Sequence, residues 1–168
     1  MCNKIVSAAD VGKFAGPGIK RISAGALTLY HTAVGGSTCR FEYESTPAQI
    51  VTDQLGCQAA QPCSAAYVTV IFGATKQLAA DDGLNSQRAT GKSLVALKCA
   101  KCAGSRAILV TTPAYGGSSI DGYYLWAETP KGNLISVGGG IQGGPFSSAK
   151  VIALAEYLVP RVDSAKVS

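Results

Sequence analysis

Asp121–Gly140, DGYYLWAETPKGNLISVGGG, reads as a β-hairpin around which the other elements must arrange themselves. Its first half alternates: Tyr123, Leu125 and Ala127 fall on one face of a strand, and Tyr124, Trp126 and Glu128 on the other. Thr129-Pro130-Lys131-Gly132 supplies the turn, with Pro130 setting φ for the first central residue and Gly132 free to take a positive φ. Leu134-Ile135-Ser136-Val137 runs back. The pair carries the single Trp and two of the seven Tyr, so other elements are expected to pair with it or pack on it. It holds no catalytic group.

A chain of 168 residues is expected to be a single domain, 1–168, with a sizeable core. Apolar content of 47% with 15% charge argues for a compact globule and against disorder. Twenty Gly and few aromatics suit a β-rich fold with many turns. No apolar run reaches the roughly 18–20 residues that a bilayer span needs. The net charge of +5 comes from basic residues scattered along the chain, without a stripe or interleaved aromatics, which argues against nucleic acid. Such a charge keeps a protein soluble and favours an acidic protein partner or the anionic cell wall.

Ser7-Ala8-Ala9-Asp10 is a capping box in the Ser-x-x-Asp form, opening a short helix to about Ala15 with Val11, Phe14 and Ala15 on its apolar face. Gly16-Pro17-Gly18 ends it. Ile19–Ser23 and Ala26–Val34 read as separate strands, Gly35-Gly36 as a turn, and Ser37–Glu44 as a strand with Cys39, Phe41 and Tyr43 inward. Thr46-Pro47 opens a second helix ending near Gly56, residues 58–64 form a pinched loop, and Ala65–Phe72 is a buried strand. Ala74–Ala80 is helix-like. Ser93–Lys98 and Arg106–Thr112 are strands on either side of a CAKCAGS turn. Phe146–Val159 is an amphipathic helix capped by Ser147 or Ser148, with Val151, Ile152, Leu154, Ala155 and Leu158 on its apolar face and Pro160 as its stop. Without regular βαβ alternation, the pattern points to an α+β fold: an antiparallel sheet with helices packed on one face, braced by disulfides.

Six cysteines, an even number with two close pairs, imply an oxidising home, periplasmic or secreted. Spacing favours Cys57–Cys63 and Cys99–Cys102, which leaves Cys2–Cys39. With Met1 directly before Cys2, the chain reads as a mature form carrying an added initiator Met.

Each candidate for chemistry has a plainer reading beside it. Cys99-Ala100-Lys101-Cys102 could be redox-active, but such a motif normally opens a helix, and here Gly104-Ser105 and a strand follow. A four-cysteine zinc site needs a second close pair, and Cys57 and Cys63 stand too far apart. A structural disulfide is the better account. His31 is the only histidine, set mid-strand without a nucleophile motif. Gly138–Gly143 fits G-x-G-x-x-G, with Asp163 downstream, but no βαβ unit follows, so it reads as a Gly-rich loop. Asp81-Asp82-Gly83 is a turn, and Glu42 and Glu44 share the outer face of one strand. No catalytic residue, metal site or cofactor is assigned.

Cys2-x-x-Ile5-Val6-Ser7-Ala8-Ala9-Asp10-Val11, followed by a Gly turn and Gly36-Ser37-Thr38-Cys39-Arg40-Phe41, resembles small secreted domains of bacteria, many of them lipoproteins or periplasmic proteins. Those begin C-x-L-[LV]-[ST]-x-x-[DE]-V and later carry C-x-[YF] on a strand. Gly104-Ser105-Arg106-Ala107, the hairpin and the closing helix are similar to their later part. The resemblance implies a bond between Cys2 and Cys39, and this chain departs from it in having four further cysteines. In type rather than in motif, the chain also resembles periplasmic immunity proteins directed against type VI secretion effectors that cut peptidoglycan.

The expected function is that of a non-catalytic binding protein, an inhibitor or immunity protein that occludes a cell-wall-degrading enzyme such as a peptidoglycan amidase effector. The alternative is a domain that binds a small ligand or an envelope component. A homodimer is compatible with either. The expected contact surface is Thr112–Asp121, longer than a hairpin needs, with Tyr115 at its tip and Gly116, Gly117, Ser118, Ser119 and Asp121 beside it. Should it lie elsewhere, the face around Arg40, Glu42 and Glu44 is next.

Overall fold

The structure, a computed structural model, describes residues 2–16, 19–29, 32–43, 67–73, 91–113, 120–140 and 147–165. Two short helices open the chain, α1 (Cys2–Ile5) and α2 (Ala8–Ala15). Strands β1 (Ile19–Leu29), β2 (Thr32–Tyr43), β3 (Tyr67–Gly73), β4 (Gly91–Val95), β5 (Arg106–Pro113), β6 (Ile120–Glu128) and β7 (Leu134–Gly140) follow, and α3 (Ser148–Ser164) closes the chain. The strands form one antiparallel sheet in the order β1-β2-β3-β7-β6-β5-β4. It is built from two meanders, β1–β3 and β4–β7, joined where β3 pairs with β7.

The expected hairpin is therefore the junction of the two meanders, with β7 as the middle strand of the sheet. Its turn forms as read: the Gly132 N–H donates to the Thr129 carbonyl at 2.9 Å, and Gly132 takes φ 77°. Alternation divides the sheet into two faces. Cys39, Val70, Val137, Leu125 and Leu109 form one row across five strands, and Phe72, Ile135, Ala127 and Ala107 form the next. These rows pack under the helices together with Ile5, Val6, Val11, Val151, Leu154, Leu158 and Val162. Burying an aliphatic side chain of this size stabilises by about 1.5–3 kcal/mol, so this layer holds the helices to the sheet. The opposite face carries a second cluster of Val110, Trp126 and Leu134, with Ile71, Ile108 and Tyr124 packed against it. The α+β class, the antiparallel sheet and the helices on one face are as the pattern implied.

The capping box forms at α2: the Ser7 hydroxyl accepts from the Asp10 N–H at 3.1 Å, and the Asp10 carboxylate accepts from the Ser7 N–H at 3.0 Å. Cys2 and Cys39 are bonded, which ties α1 to β2, and Cys99 and Cys102 are bonded across the β4–β5 turn. Cys57 and Cys63 lie outside the described residues, as do the expected second helix and the helix-like stretch after β3.

Four expectations are corrected. Residues 19–29 form one strand rather than parts of two, with register shifts between Arg21 and Ser23 and between Ala26 and Thr28. Gly35-Gly36 is not a turn. The chain reverses between the paired Leu29 and Thr32, and Gly36 stands inside β2 opposite Gly73 of β3. The partner on β3 outweighs the local turn signal, and toward β1 the pair of glycines falls at the register shift between Ala26 and Thr28. Gly138–Gly140 is not loop but the end of β7, paired with β3 on one side and β6 on the other. Pro160 does not stop α3, which continues to Ser164. Proline costs a helix the bond from its missing N–H, here to the Glu156 carbonyl. The last turn is held from outside by Arg161 and Asp163, whose partners are given below.

Candidate functional site

Tyr115, Gly116, Gly117, Ser118 and Ser119 lie outside the described residues, so the structure describes only the base of the expected contact loop. Thr112 pairs with Gly122 and Pro113 with Ile120, and the register shifts between them, which places Asp121 at a bulge. A bulge bends its strand and raises the local twist. The flanking strands reach the edge of this base, β4 pairing with β5 up to Thr111 and β7 with β6 up to Gly122. Gly140 faces Gly122, so the end of β7 adjoins the start of β6.

Gly138 in that stretch has a packing reason. A Cβ on Gly138 would stand 2.0 Å from Cδ1 and 2.3 Å from Cε1 of Tyr124, its cross-strand partner. The phenol ring lies over the bare glycine backbone, an aromatic covering a strand glycine. Sheet packing thus accounts for the first glycine of the G-x-G-x-x-G match. Asp163 likewise has a structural partner. The Thr129 hydroxyl donates to its Oδ1, the Asn133 side-chain amide donates to the same oxygen at 2.9 Å, and Lys131 Nζ reaches the Asp163 carbonyl at 2.8 Å. The carboxylate grips the turn of the β6–β7 hairpin.

Cys99–Cys102 sits in a turn rather than at a helix start. The Cys102 N–H donates to the Cys99 carbonyl at 2.9 Å, and the Ser105 N–H to the Cys102 carbonyl at 2.8 Å. The Lys98 N–H donates to Glu156 Oε1 at 2.6 Å, fastening this turn to α3. His31, Glu44, Asp81 and Asp82 lie outside the described residues. Glu42 belongs to β2, opposite Lys20 and Tyr67. Arg40 is half-buried. Among the described residues no three His, Cys, Asp or Glu side chains gather as a metal site would require, and no helix is long and apolar enough to cross a membrane.

Two features escaped the sequence reading. One is a polar cluster joining the first and last helices. Asp10 accepts from the Tyr157 hydroxyl at 2.5 Å, from Arg161 Nη1 at 3.2 Å and from Lys13 Nζ at 3.1 Å. Arg161 also lies over the Tyr157 ring, 4.1 Å from its centre, and donates to the Ile5 carbonyl at 3.2 Å. Tyr157 and Arg161 at i and i+4 marked one helix face, but nothing local named their partner. The other is the cluster around Trp126, a residue 8% exposed whose buried indole Nε1 has no hydrogen-bond partner among the described residues.

Compared with known proteins, the chain matches no family model, no curated protein and no solved structure.

Proposed function

We propose that this chain is a non-catalytic binding protein of an oxidising compartment, periplasmic or secreted, which inhibits a cell-wall-degrading enzyme by occluding its cleft with the stretch between β5 and β6. The observation that carries the reading is the anchoring of that stretch. Thr112 pairs with Gly122 and Pro113 with Ile120, next to positions where the sheet continues through Thr111 to β4 and through Gly122 to β7, so both of its ends start from paired strands. A contact segment whose two ends start from paired strands has less conformational freedom to lose on association than one with free ends, which favours tight occlusion. The Cys2–Cys39 and Cys99–Cys102 bonds support the choice of compartment. An immunity role against a peptidoglycan amidase effector is the form of this function that the resemblance in type favours.

The test is inhibition of purified peptidoglycan amidases and glycosidases acting on isolated sacculi. A cognate enzyme should be inhibited at one-to-one stoichiometry. Replacing Tyr115, Ser118 and Ser119 with Ala should then weaken binding by at least about thirtyfold, or about 2 kcal/mol. A loss below about threefold with the fold intact would move the contact away from this stretch. Cleavage of sacculi by the protein alone would overturn the non-catalytic reading.

A further inference from the structure

We propose that the outer edge of β4 takes an extended acidic peptide segment as an added strand, with Leu94 as its apolar contact. β4 is the last strand of the sheet, and among the described residues it pairs only with β5. One side of its backbone therefore presents N–H and C=O groups outward, the template that strand addition uses. Leu94 is 85% exposed, whereas the other large apolar side chains described are buried or half-buried. It continues a row with Ile108 and Trp126 on the face opposite the helices. An apolar residue left open at the end of such a row is where an added strand would extend the cluster.

Charge selects the occupant. Residues 91–113 contain Lys92, Lys98, Lys101 and Arg106 and no carboxylate. All four cations are exposed. Among the described residues, the carboxylates that reach this stretch are Glu128, 3.8 Å from Arg106, and Glu156, bonded to the Lys98 N–H. Lysine on an edge strand discourages pairing between like-charged edges. A second copy of this chain would bring the same cations together, while an acidic strand would be drawn in. Register adds a further requirement. Lys92 and Leu94 share one face of β4, two residues apart, so the added strand should carry a carboxylate and an apolar side chain two residues apart on its matching face. This surface stands independently of the proposed contact between β5 and β6.

The test uses three labelled eight-residue peptides. In the first, threonine alternates with glutamate and valine. The second has lysine for glutamate, and the third is the first with alternate amide nitrogens methylated. The acidic peptide should bind at least about tenfold more tightly than the lysine version, and methylation should abolish binding. Amides of residues 91–95 should gain protection from hydrogen exchange in the complex. Leu94→Asn and Lys92→Glu should each weaken binding about tenfold; both positions are exposed, so the fold should survive. Equal affinity for the acidic and basic peptides, protection elsewhere than 91–95, or no binding at millimolar peptide would each overturn the proposal. Self-association of the free protein with protection of 91–95 would assign the edge to a second copy instead and would equally overturn it.

Discussion

Asp10 serves both as a helix cap and as the hub between the two ends of the chain. Burial works to raise its pKa, but hydrogen bonds from Tyr157, the Ser7 hydroxyl, Lys13 and the Ser7 N–H outweigh it and hold the carboxyl far below its ordinary range. A carboxyl depressed in the folded state adds stability above its unfolded pKa of about 4, and that stability is lost as pH falls toward the folded value. The wild-type protein should therefore lose unfolding free energy below about pH 4 more steeply than Asp10→Asn does. At pH 7 the variant should be less stable by about 1.5–3 kcal/mol, the range for hydrogen bonds to a charged group. Urea titrations from pH 7 to pH 2.5 would check this, and parallel pH curves for the two proteins would show that Asp10 does not carry the effect. The capping role was legible, because Ser7 and Asp10 stand three residues apart. The hub was not, because Tyr157 and Arg161 lie some 150 residues away, and no local pattern connects them.

At the scale of elements, α3 and the β6–β7 turn hold one another. Asp163 follows Pro160 by three residues, so its grip on Thr129 and Asn133 draws the helix through a residue that would otherwise end it. Thr129 is buried, and Asp163→Ala would leave its hydroxyl and the Asn133 amide without that acceptor. The expected loss is about 2 kcal/mol, within the range for stranding buried polar groups. Asp163→Asn, which keeps an acceptor oxygen, should lose less. Equal losses for the two variants, measured by urea unfolding, would mean that the carboxylate oxygens are not what holds the turn. The hairpin itself was legible because alternation, Pro130 and Gly132 are local signals that agree. Pro160, Gly35-Gly36 and Gly138–Gly140 were misread for a common reason. Each is a local breaker overruled by a partner distant in sequence: Asp163 on the turn, Gly36 opposite Gly73, and Tyr124 lying over Gly138.

Across the whole molecule, the class and the sidedness of the sheet followed from periodicity, while strand order did not. The joining of β3 to β7 is a pairing between residues more than 60 apart, and no turn chemistry encodes it. The candidate site was legible only as an unusually long connection, and the structure adds the strand pairing of its base rather than the chemistry of its tip. The exposed Leu94 among cations became visible only once β4 stood at the edge of the sheet. What ties the two ends of the chain to this sheet is the Cys2–Cys39 bond, which closes a sequence separation of 37, together with the packing of α1 and α2 beside α3. On the loop-closure account, a bridge of that span restricts the unfolded chain by about 4 kcal/mol, whereas the short Cys99–Cys102 loop restricts it by about 2 kcal/mol. The paired variant Cys2→Ser/Cys39→Ser should therefore lower the unfolding free energy by about 4 kcal/mol, roughly twice the loss from Cys99→Ser/Cys102→Ser. The first pair should also loosen α1 and α2, read as faster hydrogen exchange at residues 2–15, while β6 and β7 keep their protection. The second pair should affect only the β4–β5 turn and its contact with Glu156. A smaller loss from the first pair than from the second would mean that the helices are held by core packing and the Asp10 cluster, with the covalent tie adding little.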